Sequence, residues 1–193
     1  GGGTPTAMTI KEVLADAEAR MAKSTDALKR ELATIRTGRA TPALLDRIRV
    51  DYYGVPTPIN QMANITASEA RMLVIQPWER NQAGPIEKAI LKSDLGLTPT
   101  NDGNAIRLAI PALTEERRHD LVKLVHKRVE SGRISLRNIR RDAQEAIRTL
   151  EREKSISQDE MIRARDQLQK VTDTFIEQAN AIGQEKEAEV LEV

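Results

Sequence analysis

Four arginines in the second half of the chain, Arg133, Arg137, Arg140 and Arg141, stand at i, i+4, i+7 and i+8. On a helix of 3.6 residues per turn that spacing projects them into one sector. A guanidinium is permanently charged, and its planar fork offers paired donors to a phosphate. Such a row on a rigid helix suits a polyanion. From Arg117 to Arg148, ten Lys/Arg stand against four Asp/Glu, a net of +6. From Glu151 to Val193, eleven acids stand against six bases, a net of −5. The overall charge of +1 therefore hides a polarised chain. A second reading stands beside the first: a solvated helix face whose arginines Asp142 and Glu145 neutralise. Aromatic residues make up only 2% of the chain, which argues against base stacking on single strands. What remains for a nucleic-acid partner is phosphate contact with structured RNA or DNA, which positions without reading sequence.

No other grouping supports catalysis. There is no Gly-rich loop followed by Lys-Ser/Thr, no Rossmann glycine pattern and no His-Glu-x-x-His. His119 and His126 lie seven residues apart, about 10 Å along a helix, too far for two ligands on one metal. The chain has no cysteine, so disulfides, thiolate chemistry and most zinc sites are excluded, as in a reducing cytoplasm. No apolar run approaches the roughly 20 residues of a membrane span. These features point to a cytoplasmic protein that is not an enzyme, with no catalytic residue, metal, cofactor or small-molecule substrate.

Three stretches must carry the chemistry. Thr9 with Glu12 forms a capping-box pattern, and Ile10, Val13, Leu14, Ala17, Met21, Leu28, Leu32 and Ile35 recur at helical spacing. This helix is expected to stop near Gly38, ahead of Pro42. From Thr114 a second helix of about 38 residues, roughly 57 Å long, carries the arginines. Its apolar rhythm runs through Leu121, Val125, Val129, Gly132, Leu136, Ile139, Ala143, Ala146 and Leu150. Gly132 reads as a small residue at a tight helix contact. Ser157 with Glu160 opens a third helix, where Met161, Ala164, Leu168, Val171, Phe175, Ala179 and Ile182 repeat near the 3.5-residue period.

Between the first two helices the texture changes. Ile48 to Tyr53 alternates, so one of Tyr52 and Tyr53 should face a core and the other the surface. Met72 to Ile75 reads as a buried strand and Pro85 to Lys92 as a short helix. Thr98 to Gly103 reads as a turn cluster, and Ile106, Leu108 and Ile110 as a further strand. The fold expected is α+β: an antiparallel three-helix bundle of residues 8–38 and 113–193, with a small α/β, β-rich domain of residues 39–112 inserted. Residues 1–7 read as added sequence ahead of a natural start at Met8. Two chain crossings, near Gly38-Arg39 and Ala112-Leu113, predict a hinge.

Four segments, in order, resemble ribosome recycling factors of bacteria. They are Ile35-Arg36-Thr37-Gly38-Arg39-Ala40 with Pro42, Ser93-Asp94-Leu95-Gly96-Leu97, Leu113-Thr114-Glu115-Glu116-Arg117-Arg118, and Arg137-Asn138-Ile139-Arg140-Arg141-Asp142-Ala143. Thr41 before Pro42 is a conservative departure, and the last third matches by pattern more than by motif. The resemblance implies an L-shaped, monomeric, non-enzymatic factor. Its bundle would lie on the large subunit of the 70S ribosome after termination, with elongation factor G and GTP driving the subunits apart. It implies 23S rRNA contacts centred on Arg137 and Arg140, with Arg133 and Arg141 beside them. Arg36 and Arg39 would help set the hinge or touch RNA. Two rivals predict different behaviour: a generic nucleic-acid binder would not depend on elongation factor G, and a coiled-coil protein would dimerise through the third helix.

Overall fold

In a computed structural model, residues 8–192 are described; the added sequence expected at 1–7 lies outside them. The backbone divides into two compact units, residues 36–115 in one and residues 8–35 with 116–192 in the other.

The helical unit is built from α1 (Ile10–Ala33), α3 (Glu115–Arg152) and α4 (Gln158–Leu191). Both capping boxes form. Thr9 Oγ1 accepts from the Glu12 amide at 3.2 Å, and Ser157 Oγ accepts from the Glu160 amide at 3.1 Å. Each glutamate returns the bond to its cap's backbone amide. The first helix ends at Ala33, not near Gly38. Thr34 Oγ1 donates to the Glu31 carbonyl at 2.6 Å, and the Ile35 amide reaches back to Leu32, tightening the last turn. The helix is thus closed by local hydroxyl and amide bonds before the glycine is reached.

Gly38 does adopt the left-handed conformation (φ 76°), but beyond the helix. A Cβ there would lie 3.3 Å from the Pro111 carbonyl oxygen and 3.4 Å from Leu113 Cγ. Its bare backbone lets the outgoing segment approach the returning one. Gly38, Pro111 and Leu113 all belong to the smaller unit, residues 36–115.

Cross-helix contacts give the helix directions. Arg20 meets Asp142 and Ser24 meets Ser135, so α1 and α3 run antiparallel. Arg140 meets Gln169 and Arg133 meets Asn180, so α3 and α4 do too. The stripes of all three helices form one core around Met21, Leu32, Val125, Leu136, Ile147 and Leu168. Ile147 is fully buried while Ala146 lies at the margin. The third helix's apolar stripe is therefore spent inside the bundle. Two glycines permit close approach. A Cβ on Gly132 would lie 3.3 Å from Leu28 Cδ2, as the tight-contact reading expects, and one on Gly183 would lie 2.5 Å from Val129 Cγ2.

The smaller unit holds a hairpin of β1 (Arg49–Tyr52) and β2 (Val55–Pro58), and a four-stranded antiparallel sheet. The sheet contains β3 (Ala63–Glu69), β4 (Met72–Pro77), β5 (Pro99–Asn101) and β6 (Ile106–Ala109), in the order β3-β4-β6-β5. Helix α2 (Ala83–Lys92) packs against β1 and β5. Central β4 buries Leu73, Val74 and Ile75 consecutively. Residues 99–101, expected as part of a turn cluster, form an edge strand. Pro99 is tolerated there because β5 pairs only with β6. The turn begins at Asp102, whose carboxylate accepts from the Ala105 and Asn104 amides at 2.8 and 2.9 Å. Those bonds, the Ala105 one foremost, hold its pKa below the ordinary value.

Candidate nucleic-acid interface

On α3, Arg133, Arg137 and Arg140 lie within about 60° of one another around the axis. They border α4, and each is held differently. Arg133 is the most engaged. Its Nε donates to Glu130 Oε2 at 2.8 Å, its Nη2 stands 2.6 Å from the same oxygen in an ion pair, and its Nη1 donates to Asn180 Oδ1 on α4 at 2.7 Å. Arg137 makes one long contact, Nη1 to Glu130 Oε1 at 3.4 Å. Arg140 Nη1 donates to Gln169 Oε1 on α4 at 3.4 Å, while its buried Nε finds no acceptor among the described residues. Arg141 lies about 40° beyond Arg137 and about 100° from Arg140 around α3, exposed, and without a partner among the described residues. The structure thus gathers three of the four along the α3–α4 seam and leaves the fourth on its solvent shoulder.

The acceptors across the seam are amides. Gln169 is oriented by Asp173, which accepts from Gln169 Nε2 at 2.8 Å and so turns the amide oxygen toward Arg140. An amide oxygen holds a guanidinium without cancelling its charge. Arg140 keeps its full positive charge for a phosphate, and a preset side chain loses less entropy when it binds.

The acids expected to neutralise the stripe do not do so. Asp142 pairs with Arg20 on α1 at 3.2 Å. Glu145 pairs with Arg152 at 3.1 Å and Arg148 at 3.8 Å. The acid that does meet the stripe is Glu130, missed in the sequence. Its signal was present: Arg133 stands three residues on and Arg137 seven, both on its face. The hydrogen bond from Arg133 is the main reason the Glu130 carboxyl is held below its ordinary pKa, with the charges of Arg133 and Arg137 adding to it. Asn180, Gln169 and Gly183 were missed too, because nothing local marks a polar or small residue as facing another helix.

The remaining sequence candidates lie elsewhere. His119 is exposed, and the exposed His126 meets Glu187 at 3.1 Å. Arg36 and Arg39 are exposed, as is Ala112, while Gly38 and Leu113 are half-buried in the smaller unit. Tyr52 packs on that unit's core and Tyr53, at the hairpin turn, is exposed. Both hydroxyls donate to Glu79, at 3.0 and 3.3 Å. The bond to Glu79 raises the Tyr52 pKa above the usual phenol value. Among the described residues no cluster of three or more acids or histidines could hold a metal ion, and no helix is long and apolar enough to cross a membrane.

Comparison with known proteins places this geometry in a family. Residues 28–191 match the family described as ribosome recycling factor. The ribosome-recycling factor of Syntrophomonas wolfei is 55% identical over 184 residues, covering 95% of this chain and all of the relative. That of Dehalococcoides mccartyi is likewise 55% identical over 95% of the chain. The solution structure of a ribosome recycling factor superposes with a TM-score of 0.71 at 43% identity, covering 95% of this chain and 98% of the other. A second neighbour, the T. thermophilus ribosome recycling factor placed with E. coli elongation factor G on the E. coli post-termination complex, gives a TM-score of 0.62 at 48% identity. It covers 96% of this chain and all of its own.

Proposed function

The chain belongs to the ribosome recycling factor family, and on that premise we propose that it binds the large ribosomal subunit after termination and, with elongation factor G and GTP, splits the ribosome into subunits. The observation that carries this reading is the match along nearly the whole chain to recycling factors, one of them placed with elongation factor G on the post-termination complex.

The mechanism follows from charge and shape. Arg137 and Arg140, flanked by Arg133 and Arg141, displace counterions from 23S rRNA phosphates and fix the register of the helical unit. Gly38, Arg39, Ala112 and Leu113 lie in the smaller unit within a few residues of the two chain crossings, and Arg36 stands at the first crossing; these segments form a hinge. The smaller unit receives the push of elongation factor G. GTP hydrolysis belongs to that partner, so this chain works as a cytoplasmic monomer without catalytic residue, metal or cofactor.

Light scattering of post-termination ribosomes tests the proposal. A scattering loss that requires this protein, elongation factor G and GTP together is the expected result. Splitting without elongation factor G, or none with a partner from the same organism, contradicts it.

A further inference from the structure

We infer that Glu130 masks Arg133 from RNA, so that Arg137, Arg140 and Arg141 form the phosphate-neutralising set and Arg133 serves as a strut between α3 and α4. The inference rests on the polyanion reading of this face and assigns its residues unequal roles.

The inequality lies in the bonds. All three nitrogens of Arg133 are engaged: Nε donates to one oxygen of Glu130 at 2.8 Å, Nη2 stands 2.6 Å from that oxygen in an ion pair, and Nη1 donates to Asn180 at 2.7 Å. Its side chain is only 28% exposed. To reach a phosphate it would have to break a charge-assisted pair and a bond across the seam together. Arg137 gives up far less. Its single contact, to the other oxygen of Glu130, is 3.4 Å long, and the side chain is 43% exposed. A phosphate offers Arg137 two acceptors in place of one stretched bond, so exchange there is favourable. Arg140 is held only by a neutral amide and Arg141 by nothing among the described residues. Glu130 therefore acts through its neighbours as a positioning residue. It pins Arg133 with one oxygen, presents Arg137 with the other, and removes one positive charge from a row of four. The hydrogen bond from Arg133, with the charges of Arg133 and Arg137, favours its ionised form.

Four single variants, Glu130→Gln, Arg133→Ala, Arg137→Ala and Arg140→Ala, distinguish the roles. Binding of each to isolated large ribosomal subunits is measured across a salt series, with helix content checked by circular dichroism. Glu130→Gln keeps an acceptor for Arg133 but unmasks its charge. Binding should tighten severalfold at low salt, and the log–log salt slope should steepen by about one. Arg133→Ala alone should flatten it, because the freed Glu130 carboxylate then cancels Arg137. Arg133→Ala combined with Glu130→Gln should return it to the native value, mask and masked charge being removed together. Arg137→Ala and Arg140→Ala should each flatten it by about one. A double variant, Glu130→Gln with Arg133→Ala, whose slope departs from the native value, or a slope unmoved by Glu130→Gln while the other two flatten it, overturns the masking role alone. If Arg137→Ala and Arg140→Ala leave the slope untouched, the face does not carry RNA, and the reading beneath the inference falls with it.

Discussion

The two edges of α3 are held by different chemistry. Toward α1, the contacts are balanced: Arg20 with Asp142, Ser24 with Ser135, and Leu28 over Gly132. Arg20 and the two serines meet complements across this edge, while Lys23 and Arg128 line the same groove. Toward α4, arginines meet the amides of Asn180 and Gln169, and one carboxylate, Glu130, serves two of them. A helix can thus be fastened on one side by a complementary ion pair and on the other by amides that leave the guanidinium charge in place. Exposed ion pairs contribute at most about 1 kcal/mol to stability, so the α4 edge is better understood as an arrangement for binding. The stability of either edge comes from the buried stripe between them. Truncating Leu136 or Ile147, both fully buried, should cost about 2–5 kcal/mol whichever edge is considered.

The largest difference between the edges should appear in packing. Gly183→Ala drives a methyl to 2.5 Å from the branched Val129. The overpacking cost of roughly 1–3 kcal/mol exceeds the gain of about 1 kcal/mol in helix propensity. Gly132→Ala meets only the flexible end of Leu28 at 3.3 Å, so propensity offsets the strain and stability should hold within about 0.5 kcal/mol. Thermal melts of the two variants should differ by several degrees. Equal melting temperatures would mean that the α4 edge is no tighter than the α1 edge.

A smaller effect tests the role of the amides. In an Asp173→Asn background, which removes a clash between carboxylates, Gln169→Glu gives Arg140 a charged partner. The salt slope of large-subunit binding should flatten by about one, although a hydrogen bond has been strengthened. An unchanged slope would show that neutralising Arg140 is of no consequence.

The smallest effect concerns pH. The Glu130 carboxyl has its pKa lowered in the folded chain, so its stabilising contribution is complete above the unfolded-state value and fades as pH falls through the lowered one. The stability difference between the native chain and Glu130→Gln should therefore shrink in acid and stay constant near neutrality. A difference that persists in acid would remove the ion pair as its cause.

What could be read from the sequence was whatever local spacing encodes. The two capping boxes, the apolar stripes and the alternation of Ile106, Leu108 and Ile110 each lie within a few residues, and each appears in the structure. What escaped depends on distant partners. Strand β3 pairs along its length with β4 and alternates Ala63, Ile65 and Ala67 with Asn64, Thr66 and Ser68. With Ile65 as its one large apolar side chain, the period is faint until β4 lies beside it. Pro99 is an edge-strand residue only because β6 lies on one side of it. The helix end at Ala33 was displaced because a glycine signal outweighed the quieter hydroxyl of Thr34. Within the interface, the arginines were legible as a row, but their unequal engagement was not, since Asn180 and Gln169 come from another helix.

The most direct test of the α4 edge as the RNA face uses the absence of cysteine from the chain. A single cysteine introduced at Gln144, on the arginine side of α3, or at Lys23, on α1, gives a unique attachment point for a hydroxyl-radical source. With each labelled protein bound to post-termination ribosomes, strand cleavage is mapped along 23S rRNA. The account predicts strong, localised cleavage from position 144 and much weaker cleavage from position 23. Stronger cleavage from position 23 would contradict it and move the RNA face to the balanced edge.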